Sequence, residues 1–107
     1  MIATHFRIRT HHRVPVATPV YFSNEAVDGT GHLWNLSLTG CRVDGSVSVR
    51  MGTRLTLLVL LPGTQAFMVI REAQVVWSRG QEFGLRLINL HAPEAARLDT
   101  FVRNQIA

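Results

Sequence analysis

The chain has 107 residues, of which 47% are hydrophobic and 17% are charged, which fits a single globular domain with its own core. No apolar run approaches the roughly 18–20 residues of a membrane helix, and the N-terminus lacks the apolar region of a secretory signal, so the sequence predicts no membrane span. The single cysteine, Cys41, excludes an internal disulfide, and these features together predict a cytoplasmic protein.

All eleven basic side chains are arginine, and the net positive charge is concentrated at the start of the chain. The formal net charge is +4, and residues 1–24 contain Arg7, Arg9, Arg13 and three histidines but no acid. A biased genome composition would also produce a chain without lysine. The functional interpretation is that guanidinium groups bind phosphate and guanine through paired hydrogen bonds, so this distribution predicts an anionic partner.

The first half of the chain reads as a basic arm followed by three strands. Residues 1–13 lack a regular period and are interpreted as a flexible arm. Residues 14–22 are rich in β-branched and aromatic side chains, with two prolines that predict an edge or bulged strand. A turn cluster is predicted over 23–31 and a second strand over 32–38. A short third strand over 41–44 follows Gly40.

The second half reads as three further strands and one helix. Residues 54–61 are apolar nearly throughout, which predicts a strand buried on both faces. Residues 65–78 form the longest strand candidate, whose odd-numbered apolar residues are interpreted as core, and residues 83–87 form a half-buried strand. An amphipathic helix is predicted over 93–106. Six strands and one helix predict an all-β domain over residues 14–107, an antiparallel barrel with the helix packed against it.

A polar stretch at the end of the second predicted strand does not fit an apolar strand well. On a strand over residues 33–37, Asn35 and Ser37 point to one face and Leu36 to the other. Gly40 then allows a turn or a close approach to the backbone. The sequence therefore predicts a face with an amide and a hydroxyl, which requires a partner.

Two motifs in this order resemble the PilZ domain family, the bacterial receptors for cyclic di-GMP. The first is Arg9-x-x-x-Arg13, ahead of the first strand, and the second is Asn35-x-Ser37-x-x-Gly40. The barrel pattern around them extends the resemblance over nearly the whole chain. It implies a six-stranded β-barrel of the split-barrel type with a C-terminal helix, no catalytic activity and no cofactor.

The resemblance also implies a role for each motif residue. Arg9 and Arg13 would hold the phosphates and guanines of the ligand. Asn35 and Ser37 would reach the guanine edge and the phosphate or nearby backbone, and Gly40 would keep the surface low beneath the ligand. Asn35 stands where many family members have aspartate, so it lacks the charge that favours guanine N–H donors, which predicts moderate affinity.

Three further residues are candidates for the site. Arg7 is close enough to the first motif to add charge, and Arg79 lies at a predicted hairpin turn. Ile8 precedes the first motif arginine, in a neighbourhood that in this family influences whether one ligand or a stacked pair is held. Its apolar side chain favours one ligand.

The resulting hypothesis is a receptor that orders its arm over the barrel on binding cyclic di-GMP and then signals to an unidentified protein effector. By resemblance, that effector controls motility, biofilm or exopolysaccharide. One alternative is a small barrel that binds single-stranded nucleic acid. It needs several exposed aromatic rings, whereas most rings here fall at core positions, so DNA is not an expected partner. The other alternative is an adaptor that binds only protein.

Catalytic and metal sites are not expected. The seven acids form no acid–base pair, and the five histidines have no metal-ligand spacing. Trp34, Trp77 and Phe83 are interpreted as core residues, although one ring at the barrel rim could stack on a guanine.

Overall fold

The computed structural model describes residues 18–61 and 66–106 of the chain. Strands β1 (Thr18–Ser23), β2 (Asp28–Trp34), β3 (Gly40–Gly45), β4 (Arg54–Leu61), β5 (Ala66–Arg79) and β6 (Glu82–Leu87) precede helix α1 (Ala92–Ile106). The pairings are antiparallel, and the strands close into a barrel in the order β1-β2-β3-β6-β5-β4. The predicted all-β class, a six-stranded antiparallel barrel with a C-terminal helix, is confirmed.

The barrel interior is filled by aliphatic and aromatic side chains. Phe22 and Phe83 meet edge to face, with ring centroids 5.2 Å apart and an interplanar angle of 82°. The prediction that residues 54–61 are buried on both faces is wrong. Leu57 is fully buried, but Thr56 is exposed and Leu58 is half-buried. Strand β4 therefore buries one face against the core and presents the other outward.

Two bulges in β5 change which of its side chains face the core. Ile70 and Ala73 are both buried, so the buried face switches parity between them. A second register shift, against β6, lies between Val75 and Trp77 and turns Trp77 outward, with 39% of its surface exposed. The prediction that one parity of β5 forms core throughout is therefore wrong, because each extra residue moves the side chains that follow to the other face. Three residues that were predicted to be buried are exposed: Phe67, Val69 and Trp77.

Strand β2 begins and ends earlier than predicted. It covers residues 28–34 instead of 32–38, so residues 28–31, predicted as turn, pair with β1. The turn is tighter because Asn24 closes it. The Asn24 Oδ1 atom accepts hydrogen bonds from the backbone N–H groups of Ala26 at 2.7 Å and Val27 at 2.8 Å. Strand β1 is described from Thr18 onward, and the predicted strand residues 14–17 lie outside the described residues.

Helix α1 packs its apolar stripe into the same core as the strands. Leu98, Phe101 and Val102 are buried, as the predicted helical period requires. The helix begins one residue before the predicted start. Glu94 lies in its first turn and accepts a hydrogen bond from the His91 backbone N–H at 3.2 Å. Within residues 18–61 and 66–106, no helix has the length and apolarity needed to cross a membrane.

Candidate ligand-binding site

The connection from β2 to β3 begins with an unusual backbone conformation at Asn35. Strand β2 ends at Trp34, and Asn35 has a φ of +54°, in the left-handed region that asparagine tolerates better than most residues. Asn35 and Ser37 therefore do not share one face of a strand, and that expectation is wrong. The turn leaves Asn35 half-buried at the surface and directs Leu36 into the core.

Ser37 lies beneath this connection and holds it closed. Its side chain is fully buried, and its hydroxyl oxygen accepts hydrogen bonds from the backbone N–H groups of Thr39 and Gly40, both at 3.2 Å. The Ser37 backbone N–H donates to the Gly40 carbonyl at 2.9 Å. Local bonds of this kind stabilise a turn without help from a strand partner. The serine is thus placed to fix the position of Asn35, and its contact with a ligand stays a prediction.

Gly40 is the first residue of β3, and its φ is not positive. It pairs with Arg86 on β6, and a Cβ atom at this position would overlap the backbone carbonyl oxygen of Leu85. Two roles were expected for this glycine, a turn conformation and a close approach to its backbone. The structure supports the close approach. Here the approaching group is strand β6.

Four residues from four strands form a row on the outer face of the barrel beside Asn35. Trp34 on β2 pairs with Arg42 on β3, Arg42 pairs with Gly84 on β6, and Gly84 pairs with Trp77 on β5. A Cβ at Gly84 would overlap the indole ring of Trp77, so the ring lies directly against the glycine backbone. We call these four residues the outer row. It presents an arginine between two indole rings.

The arginine of the outer row is held in place but incompletely hydrogen-bonded. Its guanidinium carbon lies 5.6 Å from the centroid of the Trp34 ring, and its Nη1 lies 3.4 Å from a carboxylate oxygen of Glu82. The Nε atom of Arg42 and the Nε1 atom of Trp34 are both buried without a hydrogen-bond partner. Nearly all buried donors in proteins have an acceptor, so these two are exceptions within the part of the chain that the structure describes.

A shallow depression of about 230 Å³ lies beside the Arg42 side chain. Asn35, Arg42, Trp77 and Gly84 all line it, together with residues of the adjoining strands. Arg79 follows Trp77 on the same outward parity of β5, two pairs further along the β5–β6 ladder, and is exposed. The structure thus brings Asn35 to this depression, whereas Gly40 and Arg79 lie outside its lining and pair with opposite ends of β6. It places Ser37 below the surface.

The remaining predicted site residues, Arg7, Ile8, Arg9 and Arg13, lie outside the described residues. The described chain begins at Thr18, which pairs with Leu33, two residues before Asn35. Arg13 is five residues before Thr18, so chain length alone keeps it within about 17 Å of that end of the barrel. The predicted division into an arm of residues 1–13 and a barrel of residues 14–107 stays a prediction.

Sequence reasoning missed Arg42 and Gly84 as site residues and assigned Trp34 and Trp77 to the core, whereas both rings lie on the outer face. A glycine inside an alternating strand was an available signal, because it marks a bulge or a close approach of another group. The outward turn of Trp77 had no comparable signal, since it depends on the bulge in β5. Among the described residues, no cluster of three or more histidine, cysteine or acidic side chains could hold a metal ion.

The fold is a small closed barrel whose outer surface carries aromatic rings and arginine. The chain belongs to the PilZ domain family, whose sequence model matches residues 7–104. That match includes both motifs and the outer row. No curated protein gave a significant sequence match.

Solved PilZ structures share the fold at low sequence identity. The PilZ domain of CeSA from a cellulose-synthesizing bacterium is 17% identical with a TM-score of 0.71, and the match covers 90% of this chain and 99% of that one. The Bacillus subtilis inhibitor of motility MotI/DgrA is 22% identical with a TM-score of 0.71, and the match covers 92% of this chain. It covers 51% of MotI/DgrA, so this chain spans about half of that protein.

Substituting Asn35 by aspartate is expected to raise affinity for cyclic di-GMP by about three- to tenfold, because the carboxylate is a stronger acceptor for guanine N–H donors. Aspartate also tolerates the left-handed conformation at φ +54°, so stability should change little. Calorimetry checks the affinity. Asn35→Ala is the control, and it should weaken binding and also lower the unfolding free energy. Weaker binding by Asn35→Asp would contradict this role.

Proposed function

We propose that this protein is a cyclic di-GMP receptor that closes its N-terminal arm over the outer row when the ligand binds, and thereby acts on a protein partner. The proposal is carried by one observation, the placement of Asn35 beside the Trp34–Arg42–Gly84–Trp77 row. It accords with membership in the PilZ domain family. Motility, biofilm and exopolysaccharide control are the processes that the resemblance suggests.

The chemistry of the outer row matches a cyclic dinucleotide. The Trp77 ring lies against Gly84 with 39% of the residue's surface exposed, and we propose that the exposed part stacks on a guanine. Arg42 supplies a guanidinium group for a phosphate or for guanine O6 and N7. Asn35 can accept from the N–H donors of a guanine edge through its amide oxygen. The three side chains line one depression, so one ligand can reach all of them.

The arm would cover the ligand on the side that faces away from the barrel. The arm precedes Thr18, which pairs with Leu33 on β2, two residues before Asn35. From this point Arg9 and Arg13 would be able to extend over the depression. Ordering the arm carries an entropic cost that offsets part of the contact energy. The same cost makes binding a switch, because an ordered arm forms a surface that the free protein lacks. A protein effector would recognise that surface.

Binding of single-stranded nucleic acid is the second candidate, and the burial of the aromatic residues bears on it. The expectation that most rings are core is only partly correct, since Tyr21, Phe67 and Trp77 are 42%, 56% and 39% exposed. Phe67 and Trp77 lie ten residues apart on one strand, which separates them by about 30 Å. They do not form a continuous stacking track, so the cyclic dinucleotide is the better match.

Calorimetry with cyclic di-GMP tests the proposal. The wild type is expected to bind at micromolar concentration or tighter. Trp77→Ala should weaken binding about five- to a hundredfold, because stacking one base contributes about 1–3 kcal/mol. The control Val47→Ala removes an exposed side chain that lines a different depression and should leave affinity unchanged. Binding of a single-stranded oligonucleotide without binding of cyclic di-GMP would favour the second candidate, and binding of neither would favour a protein-only adaptor.

A further inference from the structure

A second outward surface of the barrel is apolar and has no role in the site above. Leu58 on β4 lies between Tyr21 on β1 and Val69 on β5, and the neighbouring pair is Leu60 with Phe67. Tyr21, Phe67 and Val69 are 42%, 56% and 41% exposed. With Pro19 at the edge, these side chains form the apolar patch, defined as Pro19, Tyr21, Leu58, Leu60, Phe67 and Val69.

The apolar patch contains a groove and not only a flat face. An open groove of about 350 Å³ lies between Tyr21 and Phe67, with Leu58 and Pro19 among its walls. Contiguous apolar surface of this kind on a small protein marks a place that another group covers. Single exposed apolar residues need no such explanation, but here several from three adjacent strands are contiguous.

The described chain begins at the edge of this patch. Thr18 is buried, and its hydroxyl donates a hydrogen bond to the backbone carbonyl of Leu60. The described chain therefore begins beside Leu60, which pairs with Phe67. Ten residues separate Ile8 from Thr18, a length that spans at most about 35 Å when extended. The N-terminal segment thus has both the attachment point and the length to cover the groove.

The sequence of that segment suits the apolar patch. Phe6 and Ile8 share one parity, whereas Arg7 and Arg9 share the other. In an extended segment, the apolar pair can enter the groove while the arginines stay in water. The rim of the groove already carries a positive charge, because the Arg97 guanidinium donates a hydrogen bond to the Phe67 carbonyl at 3.2 Å. If the apolar side of the segment faces the groove, its arginines point into water and away from the positive charge of Arg97.

We propose that in the ligand-free protein residues 5–9 dock on the apolar patch through Phe6 and Ile8. One consequence rests on the proposed function: the arm cannot lie on the patch and over Asn35 at the same time. Cyclic di-GMP would therefore draw the arm away and uncover the patch. The surface offered to an effector then includes the exposed groove between Tyr21 and Phe67, in addition to the ordered arm.

A spin label on the arm tests docking without any ligand. The label is attached to Thr10→Cys in a Cys41→Ala background, and amide resonances report its proximity. Docking predicts strong broadening of Tyr21, Val69 and Phe67 in the free protein, and loss of that broadening in a Phe6→Ser/Ile8→Ser variant. Broadening spread evenly over the barrel, or unchanged in that variant, overturns the proposal. If Cys41→Ala destabilises the core, the same comparison is made by labelling Thr10→Cys with Cys41 retained, since Cys41 is buried.

Affinity for cyclic di-GMP tests the competition between the two positions of the arm. Phe67→Ser/Val69→Thr should bind about three- to tenfold tighter than wild type, because a competing free-state contact lowers apparent affinity. Val47→Thr, an exposed apolar residue outside the patch, should leave affinity unchanged. Equal affinity of the patch variant and wild type overturns the competition. Absence of binding by every variant contradicts the proposed function instead, and leaves the label experiment to decide docking.

Discussion

Replacing Arg9 and Arg13 together by alanine is expected to weaken cyclic di-GMP binding by at least about a hundredfold. Charge-assisted hydrogen bonds contribute about 1.5–3 kcal/mol each, and a factor of ten in affinity corresponds to about 1.4 kcal/mol. The two arginines would contact separate groups of the ligand, so their losses should nearly add. Calorimetry gives the affinity. In the proposal both residues belong to an arm outside the barrel core, so the unfolding transition should be unchanged.

The matched control removes the same charge from the barrel. Arg50→Ala/Arg54→Ala also lowers the net charge by two. Arg54 pairs with Glu72 at 3.3 Å in an exposed ion pair that contributes little to stability. This control should change affinity less than threefold. A similar loss of affinity in both double variants would mean that the overall charge attracts the ligand, and that the arm makes no specific contacts with it. Raising the salt concentration should then abolish the difference from wild type.

Substituting Gly40 by alanine is expected to lower the free energy of unfolding by about 3 kcal/mol, at the upper end of the cost of overpacking a filled site. The added Cβ would overlap the Leu85 carbonyl oxygen, a backbone atom that cannot rotate away. Relief requires β3 to move from β6, which also disturbs the Ser37 hydrogen bonds to Gly40. We therefore expect weaker ligand binding as well. Urea denaturation measures the first effect.

A second glycine provides the control for this prediction. Gly80 has a φ of +61°, but no atom lies within 4 Å of the position where its Cβ would be. Gly80→Asn therefore adds a side chain to open space in a conformation that asparagine tolerates, and stability should change by less than about 1 kcal/mol. If Gly40→Ala were as mild as Gly80→Asn, close approach of β3 and β6 would not explain the glycine.

The strands and helix could be predicted because their signals are local. The alternation in residues 83–87, the apolar run at 54–61 and the helical period after Pro93 each report one buried face, and α1 begins within one residue of its predicted start. Strand β2 was placed four residues too late because Asn35 was taken as extended. Its left-handed conformation is one of two that an asparagine readily adopts, and local sequence does not choose between them.

Side-chain direction in β5 was the main error, and its cause is tertiary. The shifts near Ile70 and before Trp77 occur where β5 pairs with β4 on one side and with β6 on the other. A bulge adds one residue, and a single residue reverses every later side chain. Trp77 consequently lies in the outer row and not in the predicted core, while Phe67 and Val69 lie in the apolar patch.

The sequence by itself determined the class of fold, the family and the two motifs, because these depend on residue type, spacing and period. Only the tertiary structure decided that Ser37 lies buried beneath the turn, that Gly40 serves the approach of β6, and that Trp34, Arg42, Gly84 and Trp77 form one row. These facts depend on which strands become neighbours when the barrel closes. Closure joins β3 to β6 and β1 to β4, contacts that no local pattern encodes.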